Sequence, residues 1–136
     1  MADTKRVSVV FFRLGKSEPV REWLKEELGK DDRKKIGEDI KTVELSWPVG
    51  MPLVKPFGGG LFEVRTDVSN GTARVFFTVG SGHLVLLHAV MKKSQKAKKK
   101  DIDLAYERLS EFKEEEAREK KEKKEKEKKE KRKEKR

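Results

Sequence analysis

Residues Leu61 to Phe77 read LFEVRTDVSNGTARVFF, with apolar and polar side chains alternating on either side of an Asn-Gly pair. Alternation of period two sends successive side chains to opposite faces of a strand, and Asn-Gly is the strongest short-range mark of a β-hairpin. Glu63, Arg65 and Asp67 therefore share one face of the first strand, and Phe62, Val64 and Val68 the other. On its partner, Arg74, Phe76 and Thr78 oppose Val75, Phe77 and Val79. With the apolar sets against a layer of helices, Arg65 and Arg74 both project onto the exposed face. Two planar guanidinium forks side by side make a candidate phosphate-binding pair.

Working outward, a third strand is expected over about Leu84 to Met91, joined through Gly80-Ser81-Gly82, so that consecutive hairpins form an antiparallel meander. Upstream, WPVGMPLVKPFGGG holds three prolines and four glycines, which suits an ordered loop better than a helix or a central strand. Two helices precede it. Ser17 is a candidate N-cap with Pro19 in the first turn and Gly29 as the stop. A second helix is expected from near Asp32, because Ile36, Ile40, Val43 and Trp47 recur on one face before Pro48. VSVVFF near the start, between charged residues, reads as a strand over about Val7 to Arg13 rather than a signal peptide. Asp101 and Asp103 open a closing helix with Ile102, Ala105, Leu109 and Phe112 on one face.

That order implies an α+β domain: a small antiparallel meander sheet with helices packed on one face and the other face left for a ligand. The domain spans residues 1–112, followed by a charged tail over 113–136. The whole chain has 136 residues, no cysteine, 44% charged residues and a net charge of +10. From Lys113 onward, fourteen lysines and arginines face nine glutamates around a single apolar residue, Ala117. Such a tail cannot enter a core, but pairs such as Glu116 with Lys120, Glu119 with Lys123 and Glu122 with Lys126 favour a frayed helical extension over disorder. No apolar run approaches the ~18 residues that span a bilayer, and the absence of cysteine fits a reducing compartment, so a cytoplasmic protein is expected.

The chemistry open to such a surface is electrostatic. Clustered arginines stabilise the charge of a phosphorane-like transition state, and Lys92, Lys93, Lys96, Lys98, Lys99 and Lys100 would capture a nucleic-acid backbone. On the last strand, His88 and Lys92 share a parity that would bring them to the same surface, opposite Val85, Leu87 and Ala89. With two histidines and no cysteine a structural zinc site is not expected, and Gly58 to Gly60 precede a strand rather than a phosphate-cradling helix. Each residue also has an ordinary reading. Surface arginines pair with carboxylates across strands, and a histidine inside LVLLHAV is commonly a packed, hydrogen-bonded one.

Several linked stretches together resemble a known family. EPVREWLKEEL at Glu18 to Leu28, DRKKIGEDI at Asp32 to Ile40, WPVGMPLVKPFGGGLFEVRT at Trp47 to Thr66, ARVFF at Ala73 to Phe77 and VLLHAVMKKSQKAKKKDIDLA at Val85 to Ala105 are similar to the RelE/ParE superfamily of toxins. Within it they look most like the phage-derived, HigB-like branch. The resemblance implies the toxin of a type II toxin–antitoxin pair: a metal-independent, cofactor-free endoribonuclease that cleaves mRNA on the ribosome. In that chemistry the ribose 2′-hydroxyl attacks the adjacent phosphate, leaving a 2′,3′-cyclic phosphate and a free 5′-hydroxyl. The cognate antitoxin is expected to be a helix-turn-helix DNA-binding protein.

Carried over by position, the resemblance implies that Arg65 and Arg74 hold the scissile phosphate and that Lys93 adds charge stabilisation. Lys92, Lys96, Lys99, Lys100 and His88 then make up the RNA-binding set. No tyrosine follows the last strand, where well-known members place a catalytic aromatic, and Lys98 stands where the branch commonly has proline. General acid and base therefore stay unassigned between His88 and Lys93. Two other functions fit a basic α+β domain: a non-catalytic inhibitor of the kind that poisons DNA gyrase, and a module that binds ribosomes or nucleic acid without cutting.

Overall fold

Residues 7–69, 71–92 and 98–134 are described by a computed structural model. Along them run β1 (Ser8–Phe11), α1 (Pro19–Glu26), α2 (Lys30–Ser46), β2 (Val54–Gly58), β3 (Leu61–Val68), β4 (Gly71–Gly80), β5 (His83–Lys92) and α3 (Lys99–Glu134). The strands form one sheet in the order β1-β5-β4-β3-β2. β2 to β5 are an antiparallel meander, and β1 pairs with β5 in parallel. The α+β meander expected from the sequence is therefore present, with one strand more than the reading found.

That extra strand is β2, inside the proline- and glycine-rich stretch expected to be a loop. Proline has no N–H for a ladder and is tolerated at a sheet edge. β2 is such an edge: among the described residues it pairs only with β3, and the register shifts between Pro56 and Gly58. Helix punctuation also differs in detail. α1 begins at Pro19 as expected, but Glu18 rather than Ser17 occupies the N-cap position, and the Ser17 hydroxyl instead donates to Glu22 at 2.8 Å.

Both faces of the sheet are packed. On one, Val20 of α1 and Ile36, Ile40 and Val43 of α2 bury against Val64, Val75, Phe77, Leu84 and Leu86. Trp47, at the end of α2, sets its ring edge-on to Phe62 and Phe77, at 4.9 and 5.6 Å. On the other, Ala105 and Leu109 of α3, with Ile102 and Phe112, cover Phe12, Leu61, Phe76, Val85 and Leu87. The expectation of helices on a single face is corrected by α3, and the reason lies in the strands. Leu61, Phe76, Val85 and Leu87 form a second apolar patch that gains from being removed from water.

β5 does not keep strict alternation. Phe76 pairs with His88 while Phe77 pairs with Leu86, so Leu87 is an extra residue opposite no partner. Such a bulge lets two consecutive side chains point to one side. Leu87 and Val90 consequently pack on the α3 side while Ala89 joins the α1/α2 core, which replaces the expected grouping of Val85, Leu87 and Ala89. α3 is a continuous helix of 36 residues, about 54 Å long at 1.5 Å per residue. The tail is thus helical as far as Glu134. No helix among the described residues is long and apolar enough to cross a membrane.

Candidate active site

The sheet face under α3 changes character along its length. Near the Gly80 end it is apolar and covered; towards the opposite end it carries charge. Arg65 of β3 lies directly across from Arg74 of β4, and Arg74 in turn from Val90 of β5. Two like charges at opposed positions repel, and the side chain that reconciles them is Glu63. Its Oε1 accepts from Arg65 Nε at 2.7 Å and from Arg74 Nη1 at 3.1 Å, and Oε2 lies 3.3 Å from the same Nη1.

Burial grades across this triad. Glu63 is 0% and Arg74 1% exposed, whereas the Arg65 side chain is 26% exposed. The expectation that both arginines project into solvent is corrected: Arg65 reaches the surface and Arg74 lies beneath it. The physical reason is that a buried guanidinium needs a carboxylate partner, and Glu63, two residues along the same face as Arg65, supplies it. Together the two cations and one anion leave one net positive charge, with Arg65 as its outlet. A depression of about 340 Å³ opens there, lined by Pro52, Leu53, Arg65, Asp67, Thr72 and Arg74. The Arg65 backbone N–H bonds Leu53 O at 3.1 Å, and Thr72 donates to Asp67 at 3.1 Å.

His88 sits two residues before Val90 on β5. Its ring stacks on Phe76 at 5.9 Å, and Nε2 lies 2.9 Å from Asp101 Oδ1 in the first turn of α3. The histidine is therefore half-buried and hydrogen-bonded, rather than on an open RNA-binding surface. The same contact fixes the start of α3, so that exposed Lys99 and Lys100 stand at the arginine-bearing end of the sheet. Lys92 closes β5 opposite Thr72. Lys93 and Lys96 lie outside the described residues. Among the described residues no three metal-binding side chains converge.

Glu63, Asp101, Arg108 and Tyr106 are the residues that reading by motif passes over. Arg108 Nη1 donates to the bulge carbonyl Leu87 O at 2.8 Å and its guanidinium lies over the Phe12 ring at 5.9 Å. Burial lowers its pKa, against the opposing pull of Glu111 and Glu107. The Tyr106 hydroxyl lies 2.8 Å from Gly58 O and 3.0 Å from Phe57 O, tying α3 to the β2–β3 turn. Only Glu63 left a usable signal: a carboxylate at i−2 from an arginine shares its face.

A family model described as phage-derived protein Gp49-like (DUF891) matches residues 22–110. The chain belongs to that family. The Gp49-like family is RelE-like and associated with toxin–antitoxin systems, and the α+β meander with three helices is consistent with a RelE-like fold. The Gp49-like match runs from within α1 to within α3, and so includes Glu63, Arg65, Arg74, His88 and Asp101. It stops short of the part of α3 beyond Ser110. No curated protein matches the chain.

Proposed function

We propose that this protein is the toxin of a type II toxin–antitoxin pair, of the HigB-like branch, and that it cleaves mRNA on the ribosome without a metal. The observation that carries this reading is the Arg74–Glu63–Arg65 triad opening into a depression that Arg65 lines, in a chain of the Gp49-like family. Arg65 is the group that meets the scissile phosphate and the charge that grows on it as the 2′-hydroxyl attacks. Arg74 and Glu63 act through Arg65: they hold its guanidinium by the Nε edge, which leaves the two Nη groups to face an anion. Lys93, Lys99 and Lys100 add positive potential, Lys92 and Lys96 engage the flanking backbone, and His88, oriented by Asp101, is the candidate proton carrier. The antitoxin partner is a small helix-turn-helix DNA-binding protein, and the site of action is cytoplasmic.

The test is induced expression of the wild type and Arg65→Ala in a bacterial host, reading growth and transcript 5′ ends together. Growth arrest with ribosome-dependent cuts is expected, and the substitution should lower cleavage on the order of a hundredfold, the usual scale for one preorganised electrostatic contact. Circular dichroism of Arg65→Ala should match the wild type, because Arg65 sits at the surface of the triad. The burial of Arg74 favours one second reading, in which the triad is structural and the chain is a non-catalytic inhibitor of the gyrase-poisoning kind. Arrest with DNA damage and no transcript cuts would establish that reading instead.

A further inference from the structure

Past Glu116, whose carboxylate accepts from the Ser81 hydroxyl at 2.6 Å, α3 leaves the sheet, and every side chain from Ala117 to Lys133 is exposed. Its charges are not spread evenly round the axis. At 3.6 residues per turn, Lys113, Lys120, Lys121, Lys124, Lys128 and Lys131 fall in one sector about 100° wide, shared only with Ala117 among residues 113–134. No glutamate of that segment enters the sector. The rest of the circumference is mixed, with opposite charges four apart: Glu119 with Lys123, Glu122 with Lys126, Glu125 with Lys129. Within the stripe, by contrast, Lys120, Lys124 and Lys128 are like charges four apart, an arrangement that weakens an isolated helix. Lys120, Lys121 and Lys131 also have a glutamate four residues away, at Glu116, Glu125 and Glu127, so helix pairing accounts for part of the stripe but not for the run of Lys120, Lys124 and Lys128 or for the absence of glutamate from the sector. Along this half of α3, among the described residues, the ion pair found is Arg118 with Glu115, neither of them in the stripe.

The stripe also has a fixed direction. It continues the side of α3 that carries Tyr106 and Lys113, whose polar atoms hold Gly58 O and Gly59 O at the β2–β3 turn, at 2.8 and 3.3 Å. A straight row of lysines running about 27 Å from Lys113 to Lys131 is thus carried rigidly off the end of the sheet remote from Arg65 and Arg74.

We propose that this lysine stripe is a docking surface for double-helical RNA, held through its phosphates. A row of cations with one or two per turn meets an anionic array without internal carboxylates to compete, and each phosphate neutralised releases bound counterions. A duplex holds its phosphates in a fixed array that a rigid helix can follow, and is recognised through shape and backbone rather than base edges. A membrane surface is disfavoured because interfacial helices need an apolar face, and Ala117 is the lone apolar residue between Lys113 and Glu134. The choice of RNA over DNA rests on the reading of the site as RNA-cleaving.

The experiment separates position from amount of charge. In the full chain, Lys120, Lys124, Lys128 and Lys131 are replaced together by glutamine; in a control, Lys123, Lys126, Lys129 and Lys133 are. Both variants lose the same charge, and glutamine keeps the helical propensity of lysine, so matching helicity by circular dichroism is the internal standard. Binding is measured by anisotropy of a short labelled RNA duplex between 50 and 200 mM salt. The stripe variant should lose at least about tenfold in affinity, with a salt slope shallower by between three and four, at about 0.9 per phosphate contact. The control should change the slope by less than one.

Equal losses in the two variants, or none in the stripe variant, would overturn the proposal. So would equal affinity of the wild type for a DNA duplex, for single-stranded RNA or for vesicles rich in phosphatidylserine. The stripe is read from duplex affinity of the lysine variants and the cleavage reading from transcript 5′ ends in the wild type and Arg65→Ala, so failure of the one and failure of the other give different results.

Discussion

The two faces of this sheet are built from the same strands and held by different physics. The face under α1 and α2 is a continuous aliphatic and aromatic layer in which Ile36, Val43, Val64, Val75 and Phe77 are all buried. The face under α3 is apolar over half its length and then turns into Glu63, Arg65 and Arg74. Burial of apolar area is non-directional and tolerates rearrangement, whereas a buried carboxylate shared by two guanidinium groups fixes atoms at hydrogen-bonding distance. The first face supplies the stability that the second uses to hold charge out of water.

The largest effect should come from Glu63→Ala, which leaves the Arg74 guanidinium buried without its carboxylate, at a cost of about 3–5 kcal/mol. Ile36→Ala on the other face costs a similar about 2–5 kcal/mol through lost burial and a cavity, so the single substitutions do not distinguish the faces. A double substitution does. Glu63→Leu with Arg74→Met removes both buried charges and should recover most of the loss in urea unfolding, because apolar replacements of a buried pair are near neutral or stabilising. No second truncation recovers Ile36→Ala. If Glu63→Leu with Arg74→Met stays as unstable as Glu63→Ala, the two faces are alike in kind and the contrast fails.

Tyr106→Phe is expected to cost about 0.5–1.5 kcal/mol, the net value of a hydrogen bond, and to raise amide exchange at the β2–β3 turn while leaving the Ile36 core protected. Smallest is Glu18→Gln. The hydrogen bond from Arg21, joined by Arg13, outweighs desolvation and holds the Glu18 carboxyl below its ordinary value of 4.5. A depressed folded-state pKa gives stability that is present above the ordinary value and lost as pH falls through the lowered one. Glu18→Gln should therefore lower the melting temperature slightly at neutral pH, remove its small fall across that acid window, and leave it unchanged below the lowered pKa.

How much of this was legible depended on whether the signal was local. The β3–β4 hairpin was, because alternation and an Asn-Gly turn are properties of neighbouring residues, and so was α2, whose Ile36, Ile40 and Val43 announce one face. β2 was hidden because Pro56 and the glycines disqualify a central strand and say nothing against an edge. α3 showed its apolar stripe, but which face of the sheet it would cover depended on Leu61, Phe76, Val85 and Leu87 being brought together by pairing. In the candidate site, Arg65 and Arg74 were found as neighbours and their depth was not. An arginine in an alternating strand looks the same in sequence whether it ends in water or on a carboxylate, and Glu63 reads as one more outward charge.

The bulge at Leu87 works on the last strand as an inserted letter works on a message. Before it, Leu84 and Leu86 are spelled towards α1 and α2; after it, the phase is shifted and His88 and Val90 are delivered to the α3 side. Arg108 holds the insertion in place by its carbonyl. The same residues run in strict alternation without the bulge would put His88 on the parity of Leu84 and Leu86, in the aliphatic layer and away from Asp101. The irregularity at this point of the strand is thus itself a part of the site.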